Sequence, residues 1–157
     1  MDTHQHAGPK GVSFWILIGV GALLNIIYLM GQTMAVINYE FTVSIGLQEP
    51  IEEITALGVA WNQGFGLGDT IVYIPLFISG IIGLLNNREF GIYCMMGALS
   101  ITIYWTIVSM STLYYARKLQ AWDFSDYTSY FVVLGLIVFY GIWGLWYVYK
   151  NRRKLYR

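Results

Sequence analysis

The residue of this chain with the clearest potential for chemistry is Asp69, a carboxylate that opens a strongly apolar stretch. Glycines occupy positions 64, 66 and 68 before it, and Thr70, Tyr73 and Pro75 follow closely. A charged group in an apolar membrane segment is costly and by default marks a functional site. The glycine-aspartate stretch is therefore the first candidate for a site.

Two roles suit a carboxylate in this position. Directly after glycines at a helix start, Asp69 could cap backbone amides and meet the positive end of the helix dipole. It could equally anchor a ligand between helices. The sequence leaves both roles open.

Catalysis would require a partner base or a metal beside Asp69. No His, Lys or Cys lies near it in the sequence, and Glu49, Glu52 and Glu53 are its only plausible companions. Catalytic-triad, zinc-protease, P-loop and dinucleotide motifs are all absent. We therefore assign no catalytic residue, and whether the chain is an enzyme stays open, with the balance against it.

Metal and cofactor ligands are also scarce. His4 and His6 are the only histidines, and two histidines without further ligands make a weak metal site. Cys94 is the only cysteine, so an intrachain disulfide or a CxxC centre cannot form. We expect neither a metal nor a cofactor.

The composition is that of a membrane protein. Of the 157 residues, 57% are hydrophobic and 11% are charged, against about 25% charged in ordinary soluble domains. Five of the nine Lys and Arg residues lie between Lys150 and Arg157, directly after an apolar run. Such a tail concerns membrane orientation rather than nucleic acid.

Four apolar stretches are long enough to cross about 30 Å of hydrocarbon. The pattern predicts an all-α integral membrane protein, a single domain over residues 1–157, built as a four-transmembrane-helix bundle. The acidic first loop also contains helix-start chemistry, with Pro50 before two glutamates and apolar residues at helical spacing. The predicted spans cover residues 12–31, 67–85, 90–113 and 127–149, and a short amphipathic helix in the first extracytoplasmic loop covers about 50–62.

The basic residues predict the orientation. With four spans, Lys10, Arg88 and the five basic residues of the C-terminal tail share one side, whereas Arg117 and Lys118 lie on the other. Cytoplasmic loops carry the excess of Lys and Arg. We therefore expect a multi-pass protein of the cell membrane with both termini in the cytoplasm.

The rise of the α-helix places the scattered polar residues at a similar depth in the membrane. At 1.5 Å per residue, Asp69 lies about 26 Å before Asn86, just inside the outer boundary of the hydrocarbon. Asn25, Thr102 and Thr106 come out about 18 to 24 Å from the cytoplasmic starts of their helices. The sequence thus predicts an outer-leaflet-facing polar cavity, with ligand-binding residues Asp69, Tyr73, Thr70, Asn25, Thr102 and Thr106.

The stretch DTIVYIPLF, residues 69–77, lies on the second of four spans, after an acidic loop and before a tight basic turn. In this arrangement the chain resembles the EXPERA group, which includes the emopamil-binding sterol isomerase and the sigma-two receptor. The resemblance implies a sterol-like or other amphipathic amine or lipid ligand between the helices, with Asp69 as the acidic contact. Isomerase chemistry is not implied, because the first helix offers Asn25 rather than a carboxylate and no span contains a histidine.

Two functions follow from these features. In the first, the protein binds a small amphipathic, lipid- or sterol-like ligand. In the alternative, it is a non-catalytic accessory or oligomer-forming subunit of a membrane complex, which uses aromatic faces and small residues such as Ser79 and Gly83 against its partners. Membrane lipids are expected partners in either case, and a transport pathway would require a homodimer.

Overall fold

The computed structural model describes residues 10–117 and 127–156, and within these ranges every regular element is a helix. His4, His6, Lys118 and Arg157 lie outside these ranges. The elements are α1 (Val12–Tyr28), a π-helical turn (Leu29–Thr33), α2 (Met34–Ile37), α3 (Tyr39–Ser44), α4 (Ile51–Gly68), a second π-helical turn (Asp69–Tyr73), α5 (Ile74–Leu85), α6 (Glu89–Ala116) and α7 (Tyr127–Leu155).

Joined across their π-helical turns, these elements make four helices that are long and apolar enough to cross a membrane. The predicted all-α architecture with four candidate spans is confirmed. The spans are longer than predicted, because polar and aromatic residues continue each helix beyond its apolar centre. They run Val12–Ile37, Ile51–Leu85, Glu89–Ala116 and Tyr127–Leu155.

The second span differs most from the expectation. The sequence predicts residues 50–62 as a separate short helix, but residues 51–62 are the first part of the helical segment Ile51–Leu85. Thr55, whose backbone is not helical, divides this segment, and the helix then continues without a break to Leu85. The chain bends at Thr55, with φ 64° and ψ 168°, but remains helical through all three glycines. Gly66 explains why, since a Cβ there would lie 2.5 Å from the Gln32 carbonyl oxygen. This glycine permits a close helix contact rather than ending the helix.

Small residues also hold α5 against α6. A Cβ on Gly83 would lie 2.4 Å from the Gly91 Cα, and one on Gly80 would lie 2.8 Å from the Met95 nitrogen. The two helices meet in the tight hairpin that the sequence predicts, where the Arg88 N–H donates to the Gly83 carbonyl oxygen at 2.7 Å. The small face of α5 is therefore used inside the chain.

The core lies between α1, α5, α6 and α7. At its centre the Tyr140 hydroxyl of α7 donates to the Leu17 carbonyl oxygen of α1 at 2.8 Å. At one end the Lys10 ammonium donates to the carbonyl oxygens of Leu84 and Leu85, at 3.1 and 2.7 Å. Carbonyls at a helix C-terminus favour such a cation, so the start of α1 is tied to the end of α5.

Candidate functional site

Asp69 lies inside a helix, not at its start. Its backbone is helical, with φ −63° and ψ −42°, and its N–H already donates to the Phe65 and Gly66 carbonyl oxygens. The unsatisfied amides of this helix are those of its first turn, near Ile51. The capping role considered from the sequence is therefore excluded.

The Asp69 side chain is buried without a partner. Its relative exposure is 5%, and its Oδ2 has no hydrogen-bond partner among the described residues. A buried polar atom left unpaired costs about 1 to 3 kcal/mol, and more when it is charged. A carboxyl group kept at this cost has unused capacity for a ligand.

Asp69 borders an open groove of about 390 Å³ between the second span and α6. Four of the nine described residues that line it are aromatic. Trp61 and Phe65 contact each other edge to face, with ring centroids 5.2 Å apart. We call it the Asp69 groove; its lining residues are Ala60, Trp61, Gly64, Phe65, Gly68, Asp69, Ile101, Tyr104 and Trp105. A carboxylate beside aromatic faces attracts a cation by charge and by the ring quadrupoles.

Tyr73, Thr102 and Thr106 form a hydrogen-bonded connection behind Asp69. The Tyr73 hydroxyl lies 2.8 Å from the Thr102 hydroxyl, which itself donates to the Ala98 carbonyl oxygen at 3.0 Å. The Thr106 hydroxyl donates to the Thr102 carbonyl oxygen at 2.6 Å. All three side chains are buried, and each hydroxyl group has a hydrogen-bond partner. The Tyr73–Thr102 contact ties the second span to α6.

Thr70 and Asn25 make their hydrogen bonds elsewhere, Thr70 with the first span and Asn25 within it. The Thr70 hydroxyl donates to the Gly66 carbonyl oxygen at 2.6 Å and accepts from the Thr33 hydroxyl at 2.8 Å. The Asn25 amide donates to the Gly21 carbonyl oxygen at 2.9 Å, and its buried Oδ1 has no partner in the described chain. Of the six predicted site residues, Asp69 alone lines the groove.

Two π-helical turns face each other at this level, and the Thr33–Thr70 hydrogen bond joins them. Asp69 is the first residue of the second turn. Such turns are rare and concentrate at functional sites. Hydrophobic periodicity cannot reveal them, because one widened turn changes the pattern very little.

The sequence analysis missed a second polar group, next to the groove. The Gln48 amide donates to the Gly31 carbonyl oxygen at 3.1 Å, and its Oε1 accepts from the Asn62 amide at 2.8 Å. The Tyr39 hydroxyl donates to the Glu49 carbonyl oxygen at 3.0 Å. The only signal was the polar character of Gln48 and Asn62 beside an otherwise apolar helix face.

Glu49 carries the charge nearest to this polar group. Burial raises the pKa of its carboxyl group, and the neighbouring Glu53 carboxyl raises that pKa further. Within the described residues, no group of three or more His, Cys, Asp and Glu side chains is placed to hold a metal ion.

Comparison with known proteins gives no relative from which a function could be transferred: no family model, no curated protein and no solved structure matches this chain. The chemistry of the Asp69 groove is therefore the basis for assigning a function.

Proposed function

We propose that this protein binds a small amphipathic ligand in the Asp69 groove, with the polar head of the ligand at the Asp69 carboxyl group. The observation that carries the proposal is the buried Asp69 Oδ2, which lacks a hydrogen-bond partner among the described residues. Buried charges in membrane helices are normally paired. A ligand that donates a hydrogen bond would supply the missing partner.

The groove favours a cationic head group. Trp61, Phe65, Tyr104 and Trp105 line it together with Asp69, and the combination of aromatic faces with a carboxylate suits an ammonium group. Within the part of the chain that the structure describes, no lysine or arginine lines the groove to compete for the carboxylate. The apolar tail of the ligand would lie along Ile101 and the aromatic rings. The EXPERA-like arrangement in the sequence implies the same class of ligand.

The charge distribution supports a location in the cell membrane with both termini in the cytoplasm, because the basic residues gather at the chain termini and in the hairpin at Arg88. In that orientation Asp69 lies about 24 Å along the helix from Leu85, in the outer half of the membrane. The groove would then receive its ligand from the outer leaflet.

Ligand binding is preferred to an accessory role because Gly80, Gly83 and Gly91 pack within the chain. These glycines belong to the small-residue surface that would otherwise serve a partner helix.

The test uses the whole protein in phosphatidylglycerol nanodiscs, whose lipids carry no competing ammonium group. Decylamine should raise the unfolding midpoint by mass action, whereas decanol, with the same chain and no charge, should not. Asp69→Asn should abolish the shift, and Tyr104→Leu, which removes one aromatic wall, should reduce it.

Glu52→Gln is the matched control, since Glu52 is an exposed carboxylate on the same helix. It should leave the decylamine shift unchanged. An equal shift in wild type and Asp69→Asn, each measured from its own ligand-free midpoint, would refute the proposal.

A further inference from the structure

A second cavity shares Trp61 and Trp105 with the Asp69 groove. It has a volume of about 220 Å³ and brings polar residues of the first loop next to the second span and α6. We call it the polar chamber; its polar lining residues are Gln32, Gln48, Glu49, Asn62, Ser109 and Thr112. Residues of four separate segments therefore converge on one polar space.

An apolar cleft adjoins the polar chamber. This cleft has a volume of about 450 Å³ and runs between the first span and α7. The two cavities are neighbours, since both are lined by Gln32, Leu47, Trp105, Tyr130 and Leu134. Leu24, Ile27, Leu136 and Ile137 extend the cleft away from the polar residues. The combined space has one polar end and one apolar end.

Gln32 lies where the two cavities meet. Its Oε1 is buried and has no hydrogen-bond partner among the described residues. The neighbouring Gln48 amide donates to the Gly31 carbonyl oxygen and the Asn62 amide donates to Gln48 and Tyr39, so neither amide donates to Gln32 within the described chain. A bound hydroxyl group would supply the donor that Gln32 lacks there.

The charge of the chamber selects among possible head groups. Among the described residues that line it there is no lysine or arginine, and Glu49 is the one acidic residue. An anionic head would find no countercharge there and would be repelled by Glu49. The free Gln32 acceptor and the hydroxyls of Ser109 and Thr112 match an uncharged, hydroxylated head.

We propose that the polar chamber and the apolar cleft form a second ligand site, for a neutral amphiphile with a hydroxylated head. The head donates a hydrogen bond to the Gln32 Oε1, and the hydrocarbon chain lies along the cleft between the first span and α7. This site is separate from the Asp69 groove and takes a different class of ligand.

The experiment uses the whole protein in phosphatidylcholine nanodiscs, whose head groups have no hydroxyl donor. The probe is 1-decanoylglycerol, followed by the unfolding midpoint and by tryptophan fluorescence, because Trp61 and Trp105 line the chamber. Methyl decanoate lacks the hydroxyls, and free glycerol lacks the chain. Only 1-decanoylglycerol should produce a saturable shift.

Gln32→Leu keeps the approximate size of the side chain and removes the acceptor. It should weaken 1-decanoylglycerol binding about tenfold, the equivalent of one buried hydrogen bond. Gln63→Leu is the matched control, since Gln63 donates to the Ala35 carbonyl oxygen outside the chamber, and it should bind as wild type does. Should Gln32→Leu fail to fold, Ser109→Ala is the milder variant and should also weaken binding.

Three results would overturn the second site. These are binding of methyl decanoate or of glycerol as strong as that of 1-decanoylglycerol, unchanged binding in both chamber variants, and loss of binding in Asp69→Asn. The last result would assign the probe to the Asp69 groove. The two proposals can also fail independently. If decylamine does not shift the unfolding midpoint but 1-decanoylglycerol binding depends on Gln32, the proposed function is refuted and the second site is retained.

Discussion

The Tyr73 hydroxyl lies 2.8 Å from the Thr102 hydroxyl, in a buried contact between the second span and α6. The Tyr73 ring also packs edge to face on Tyr28, with centroids 5.0 Å apart, and Tyr28 packs on Trp105 in the same way at 5.5 Å. Three spans are therefore connected through one aromatic group directly behind Asp69. These contacts hold Trp105, which lines the groove, against Tyr28 of the first span.

The first prediction concerns this hydrogen bond. Tyr73→Phe and Thr102→Val should each lower the free energy of unfolding, and a double-mutant cycle should give a coupling of about 0.6 kcal/mol, the average for hydrogen bonds between membrane helices. Thermal or denaturant unfolding in nanodiscs measures both. Tyr104→Phe, at an exposed position of the same helix, should change nothing. A coupling near zero would mean that the contact is not formed in the membrane.

The second prediction is that Asp69 lowers the unfolding midpoint of the ligand-free protein. Because the buried carboxyl has no partner within the described residues, Asp69→Asn should raise the unfolding midpoint in the absence of ligand while abolishing stabilisation by decylamine. Residues that serve binding commonly lower the stability of the free protein. Glu52→Gln should leave the midpoint unchanged. A large loss of stability in Asp69→Asn would indicate a structural partner for the carboxyl group.

The glycine contact between α5 and α6 predicts a strong steric effect. Gly83→Ala would place a Cβ 2.4 Å from backbone atoms of Gly91, and since backbone cannot rotate away, the helices must separate. We expect a loss of about 1 to 3 kcal/mol, typical of overpacking. Gly135→Ala on α7 is the control, because no atom lies within 4 Å of its Cβ. Comparable losses in both variants would contradict the close packing.

The pH dependence of stability should contain a contribution from Glu49. Its folded-state pKa is raised, so the folded protein holds this proton to higher pH than the unfolded chain does. The stability that the group contributes is present below the unfolded pKa of 4.5 and is lost as the pH rises through the folded pKa. Glu49→Gln should therefore be more stable than wild type at neutral pH and should show a smaller loss between acidic and neutral pH.

The measurement compares the unfolding midpoints of wild type and Glu49→Gln from acidic to neutral pH. Glu40→Gln serves as the control, since Glu40 is exposed on α3. A wild-type pH profile that Glu49→Gln reproduces unchanged would show that the raised pKa of Glu49 does not affect stability.

The sequence by itself determined the four spans and the hairpin between α5 and α6, because hydrophobic runs and polar turns are local properties of the chain. It also identified Asp69, since a carboxylate in an apolar run is visible without coordinates. The tertiary structure decided what surrounds that carboxylate. The helix that continues from beyond Thr55 through Asp69 to Leu85 removed the capping role, because Gly66 meets the backbone of another span rather than ending its own helix.

The polar chamber was likewise decided only by tertiary structure. Gln32, Asn62 and Ser109 are far apart in the chain and meet because three helices and the first loop pack together. No local pattern records which polar side chains have found partners and which have not. The free oxygen atoms of Asp69 and Gln32 are consequences of packing, and packing depends on contacts between residues that the linear order of the sequence keeps apart.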